Sequence, residues 1–200
     1  MRILIWGPSL LLFGCVLING CVPLKPQDSQ PSESVSVKPD PVMQIRARVE
    51  SALSNDKPLT AQAELLKARQ KGVAESSLQD VFVTVQAYLL KKAGTAEETQ
   101  SFDRAGELYR AAMDVYPKTA EVAALLAVSG DEINAKLLIC ADELMKRGLM
   151  SYREGNLLAA VQDWKKIALF MPDHSPSMVA IETAEQQIAN LEKLTPAQEN

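Results

Sequence analysis

Residues 141–174, ADELMKRGLMSYREGNLLAAVQDWKKIALFMPDH, decide the fold. Apolar residues recur at spacings of three and four on both sides of a Gly-Asn break, which predicts two amphipathic helices joined by a tight turn. Small residues allow the two helices to approach closely, aromatic residues fill the space between them, a glycine makes the turn and a proline ends the second helix. In chain order these packing residues are Gly148, Tyr152, Gly155, Ala160, Trp164 and Pro172.

These spacings resemble the tetratricopeptide repeat, a helix–turn–helix unit of 34 residues. A stretch from Phe102 to Pro117 resembles the second half of the same unit, and the rest of the chain fits it less regularly. The resemblance implies an all-α, tetratricopeptide-like fold of stacked helical hairpins, with a curved surface that holds peptides or partner domains.

On that surface, the resemblance implies partner-binding positions along the first helix of the best repeat. They are Asp142, Met145, Leu149 and Arg153. A simpler interpretation stays open, because Met145 and Leu149 are also what a helix buries in its core. Asp142 and Arg153 are equally compatible with ordinary solvated charges.

Outward from this repeat, helical periodicity extends over residues 42–194, and we expect about eight helices in one domain. Gly94 is a predicted helix end, followed by a capping box from Thr95 to Glu98. A second capping box runs from Ser129 to Glu132. Ser175 and Pro176 then begin a last helix, which resembles the solvating cap that ends repeat arrays.

The first residues are typical of a targeting segment. An apolar run over residues 3–18 is shorter than the ~20 residues that span a bilayer and matches a secretory signal. It leads into Leu17-Ile18-Asn19-Gly20-Cys21, which resembles the lipobox of bacterial lipoproteins. The resemblance implies removal of residues 1–20, lipidation of Cys21 (a palmitate-type anchor) and, because Val22 is not aspartate, sorting to the outer membrane facing the periplasm. An uncleaved anchor or an ordinary secretory signal is the alternative.

Two segments lack the composition of a packed domain. Residues 21–41 hold five of the eleven prolines together with many serines, so we predict a disordered linker there. Residues 195–200 form a short C-terminal tail. The helical domain is therefore expected at residues 42–194.

Several functions are disfavoured by what the chain contains. Its net charge of −4 argues against nucleic-acid binding. Once Cys15 is cleaved off and Cys21 acylated, Cys140 is the one thiol left, in an apolar stretch where we expect it to be buried and inert. The single histidine, His174, is expected to be exposed in a turn, and too few ligands accompany it for zinc. We expect no cofactor, no metal and no catalytic residue.

The sequence thus predicts a lipid-anchored periplasmic scaffold or adaptor for protein–protein interaction. Its expected partners are the membrane, through the lipid, and unidentified envelope proteins, for example those of secretion, pilus or outer-membrane assembly. Two alternatives stay open: a cell-wall enzyme or its regulator, and a structural spacer whose repeats only pack.

Overall fold

The computed structural model describes residues 40–194, which form eight α-helices and no strand. The predicted signal peptide, Cys21, the linker up to residue 39 and the tail at 195–200 lie outside the described residues. A 3₁₀ turn at Glu75–Leu78 precedes the third helix. The helices are α1 Pro41–Ser54, α2 Pro58–Gln70, α3 Gln79–Glu98, α4 Phe102–Asp114, α5 Ala120–Ala123, α6 Gly130–Arg153, α7 Leu157–Ile167 and α8 Ser175–Leu194.

The helices pack as consecutive hairpins. α1 packs on α2, α3 on α4 and α6 on α7, while α4 also packs on α6, and α7 on α8. Each helix contacts mainly its neighbours in sequence, which is the arrangement of a stacked helical array. The expectation of an all-α domain with about eight helices is confirmed. The fully buried side chains come from all parts of the array and include Leu65, Val85, Leu89, Leu137, Leu144, Ile167 and Phe170.

The longest helix, α6, begins with the capping box that the sequence predicts. The Ser129 hydroxyl accepts a hydrogen bond from the Glu132 N–H at 3.2 Å, and the Glu132 carboxylate accepts one from the Ser129 N–H at 2.8 Å. Two N–H groups that no helical carbonyl could reach are thereby satisfied. α6 then packs on α4 at one side and on α7 at the other.

The boundary predicted at Gly94 is wrong. α3 continues through Gly94 to Glu98, and the Thr95 hydroxyl donates to the Lys91 carbonyl at 3.2 Å inside the helix, so Thr95 caps nothing. The physical reason is tertiary packing. Ala93 is fully buried, and this outweighs the roughly 1 kcal/mol that a glycine costs within a helix.

Two other helices are shorter than their sequence suggests. α5 ends after four residues at Ala123, although the apolar residues continue to Val128. α7 ends at Ile167, well before Pro172, because the chain turns there and places Phe170 in the core with no exposed surface. Pro172 therefore lies in the turn beyond the helix and does not stop it.

His174 is half-buried at the start of α8, not exposed as expected. Its ring Nδ1 accepts a hydrogen bond from the Ser177 N–H at 3.2 Å, and its carbonyl accepts one from the Ser177 hydroxyl at 2.9 Å. The histidine ring thus performs the capping that the sequence suggested for Ser175.

Two charged side chains hold the irregular connection between α4 and α5. Arg69 donates hydrogen bonds to the carbonyls of Asp114 and Tyr116, both at 2.9 Å. Glu75 accepts one from the Thr119 N–H at 3.0 Å, and it pairs with Arg69 at 3.0 Å. This Arg69–Glu75 clamp satisfies backbone groups at the end of α4 and the start of α5, where no helical partner exists.

Candidate partner-binding groove

A groove of about 440 Å³ lies between α6 and α8, and α7 contributes to its lining. Apolar and charged side chains line it on the α6 side, aromatic side chains form its floor, and small side chains line it on the α8 side. We call it the α6–α8 groove. Its lining residues are Asp142, Met145, Lys146, Leu149, Tyr152, Trp164, Ala180 and Thr183.

Three of the four positions suggested for partner binding line this groove. Asp142, Met145 and Leu149 follow one another at spacings of three and four, so they share one face of α6. Leu149 is 42% exposed, whereas Met145 is half-buried. Arg153, the fourth position, is exposed at the last residue of α6 and does not line the groove.

The groove floor is made by the closest approach between α6 and α7. A Cβ atom at Gly148 would lie 2.3 Å from Nε1 of Trp164, so only glycine fits beneath the indole. The Trp164 N–H donates to the Met145 carbonyl at 3.2 Å, and its ring centroid lies 6.0 Å from that of Tyr152. Trp164 is 3% exposed. The floor is therefore fixed by packing and by a hydrogen bond.

The other predicted packing residues lie around this contact. Gly155 makes the turn between α6 and α7 with a φ of +80°, a backbone region that favours glycine. The neighbouring Asn156 caps α7 by accepting from the Ala159 N–H at 3.2 Å. Ala160 is fully buried in α7, and Pro172 is exposed in the turn before α8.

The charges at the rim of the groove do not cancel. Asp142 is exposed and makes no hydrogen bond or close ion pair within the described residues, but its charge also acts on the Lys146 ammonium. Lys146 pairs with Glu143 at 2.5 Å, and this hydrogen bond with the carboxylate raises the pKa of Lys146. Asp142 and Glu143 therefore share one cation, Lys146, and this part of the rim keeps one net negative charge.

A polar cluster between α3, α4 and α6 holds the groove-bearing helix against the rest of the array. The Glu97 carboxylate accepts from the Tyr109 hydroxyl at 2.8 Å and from the Lys136 ammonium at 3.0 Å. Burial alone would raise the pKa of Glu97, but the hydrogen bonds from Tyr109 and Lys136 together outweigh it and lower the pKa. No sequence pattern indicates this cluster, because its three members lie on different helices.

Cys140 lies beside that cluster and is fully buried, as expected. Burial, with a smaller contribution from Glu97, raises the pKa of its thiol to about 12. Across residues 40–194, no three histidine, cysteine or acidic side chains are placed to hold a metal ion. Within the same range, every helix is too short or too polar to cross a membrane.

The α8 side of the groove was also missed. Ala180 and Thr183 line it, and neither is among the positions that the repeat resemblance suggests. The period of the repeat could have found Thr183, because it lies one repeat of 34 residues after Leu149. Equivalent positions on the first helices of successive repeats meet on the same surface.

Comparison with family models, curated proteins and solved structures finds no match to this chain. The geometry of the groove suits the binding of another molecule. Its lining combines an exposed leucine, a half-buried methionine, a half-buried tyrosine and the exposed carboxylate of Asp142.

Proposed function

We propose that this chain is a lipid-anchored scaffold or adaptor of the bacterial envelope, whose tetratricopeptide-like helices bind other proteins. One observation carries the proposal. The α6–α8 groove brings Asp142, Met145 and Leu149 together above Trp164, and the resemblance to the repeat suggests three of these residues as partner contacts.

The composition of the groove supports a protein partner. Aromatic residues and methionine are enriched where proteins bind each other, and the binding energy concentrates on a few well-packed anchors. Half-buried Tyr152 is such a residue on this chain, Leu149 leaves apolar surface uncovered beside it, and buried Trp164 supports both from below. Because the floor is fixed by the Trp164 hydrogen bond, little side-chain freedom would be lost when a partner binds.

The proposed lipid at Cys21 would act together with this groove. Anchoring confines the domain to the membrane surface, which raises its effective concentration toward membrane-bound partners without any new contact. The sequence around Cys21 supports an outer-membrane location facing the periplasm, where secretion, pilus or outer-membrane assembly proteins are candidate partners.

In-cell crosslinking followed by membrane purification tests both parts of the proposal. We expect the wild type to fractionate with membranes and to crosslink to specific envelope proteins. Cys21→Ser should leave the membrane fraction, and Leu149→Ser should stay there but lose the crosslinks.

Leu158→Ser is the matched control for the groove. Leu158 is 65% exposed on α7 and does not line the α6–α8 groove, so this variant should keep its crosslinks. If Leu149→Ser and Leu158→Ser both crosslink as the wild type does, the groove is not the binding surface. If Cys21→Ser stays with the membranes, the anchor is wrong.

A further inference from the structure

We infer that the occupant of the α6–α8 groove is an amphipathic peptide segment of a partner protein that brings apolar side chains to Trp164 and Leu149 and a lysine or arginine to Asp142. This inference rests on the proposed function and names the chemistry of the partner. It follows from three features of the groove: its apolar floor, its unbalanced rim and the charge of the surrounding helices.

The floor selects apolar side chains. Met145, Leu149, Tyr152 and Trp164 converge on a space of about 440 Å³, within the range of about 300–1,000 Å³ that ligand pockets occupy. The indole N–H already donates to the Met145 carbonyl, so it offers no free hydrogen bond to an occupant. A polar side chain placed there would lose its water without gaining a partner.

The rim selects a positive charge. Asp142 makes no hydrogen bond at the edge of this apolar floor, and it shares the nearby cation Lys146 with Glu143, to which Lys146 is hydrogen-bonded. An occupant with a carboxylate near Asp142 would bring like charges together at a partly dehydrated surface. An occupant with lysine or arginine there would form a charge-assisted hydrogen bond.

The surrounding helices favour the same sign of charge. Residues 130–194 carry ten acidic and seven basic side chains, so α6, α7 and α8 together attract a cationic segment. The same excess of acidic groups disfavours a second copy of this chain at the groove, because both copies would carry the same net negative charge.

The test is site-specific photo-crosslinking in the cell, with the complete chain. A photo-reactive residue replaces Thr183 at the α8 edge of the groove, and the crosslinked residues of the partner are mapped. We expect crosslinks to a segment with apolar residues and a lysine or arginine within one helical turn of them. The same residue placed at exposed Gln162 of α7 should not give these crosslinks.

Charge reversal in the same chain then tests the role of Asp142. Asp142→Lys should lower the crosslinking yield about tenfold or more, whereas Asp142→Glu should retain it. Asp173→Lys makes the same change of charge at an exposed residue outside the groove, and it should have a much smaller effect.

Each opposite result overturns the inference. Crosslinks to a second copy, to this chain's own N-terminal segment, to lipid or to an acidic segment would name a different occupant. Equal yields for Asp142→Lys and Asp173→Lys would remove the charge contact. In those cases a loss of crosslinks in Leu149→Ser would still support the proposed function. Unchanged crosslinking in Leu149→Ser would contradict both this inference and the proposed binding of proteins at the groove.

Discussion

The indole of Trp164 occupies the place where a side chain at position 148 would stand, with its Nε1 atom 2.3 Å from where the Cβ of that side chain would be. The same indole joins α6 to α7 and forms the floor of the α6–α8 groove. Stability of the terminal helices and the shape of the groove therefore depend on one side chain.

Gly148→Ala should lower the free energy of unfolding by about 1–3 kcal/mol, because the new methyl group must displace the indole. Urea unfolding measures the change. Gly94→Ala is the matched control, since a Cβ at Gly94 would meet no atom within 4 Å, and alanine there should stabilise α3 by about 0.5–1 kcal/mol. Destabilisation of the same size in both variants would contradict the close packing of α6 on α7.

Trp164→Ala should lower the free energy of unfolding by about 3–5 kcal/mol, because it removes a side chain that is only 3% exposed and leaves a cavity. Thermal unfolding followed by circular dichroism gives the readout. Trp164→Phe fills more of the space but loses the hydrogen bond to Met145, so its loss should be smaller. An unchanged melting temperature in Trp164→Ala would refute the packing of the indole.

Low pH should weaken the contact that the Glu97–Tyr109–Lys136 cluster makes between α6 and the α3–α4 hairpin. Because the folded-state pKa of Glu97 lies below its ordinary value of 4.5, its contribution to stability is complete above about pH 4.5 and is lost as the pH falls through the lowered pKa. Glu97→Gln should therefore unfold more easily than the wild type at pH 7. The gap between the two should narrow toward pH 3 in urea titrations, and a gap that does not depend on pH would contradict an ionised Glu97.

His174→Ala should destabilise α8 by about 1 kcal/mol, because the Ser177 N–H loses its acceptor. Asparagine caps helices well, so His174→Asn should keep most of that stability. The rate of amide hydrogen exchange in the first turn of α8 measures this loss of stability at the helix start. Similar exchange rates in all three proteins would show that the histidine ring is not the cap.

Local signals predicted the parts of the fold that depend on one helix or one turn. The spacing from Gly148 to Trp164 was enough to place α6 against α7, and the Ser129–Glu132 box was enough to start α6. The first follows from the pattern of one 34-residue repeat, and the second from a box of four residues. Thr95 and Glu98 satisfy a similar rule, yet the buried Ala93 keeps α3 helical there.

Contacts between distant segments could not be predicted in this way. A Cβ atom at Gly106 of α4 would lie 2.5 Å from the Phe170 ring, which folds back after the end of α7. Periodicity shows which face of a helix is buried but not which residue covers it. The same limit hid the Glu97–Tyr109–Lys136 cluster and the α8 side of the groove.

The Arg69–Glu75 clamp affects the order in which the helices of this array unfold. In a chain of helix pairs that touch only their neighbours, an end pair can fray alone while the rest stays folded. Here the clamp lies at the end of the first pair and binds the backbone beyond α4, so opening α1 and α2 also releases the connection that leads to α6. We therefore expect α2 and the α4–α5 connection to open together, so that unfolding of the first pair also loosens the chain that leads into the groove-bearing helix.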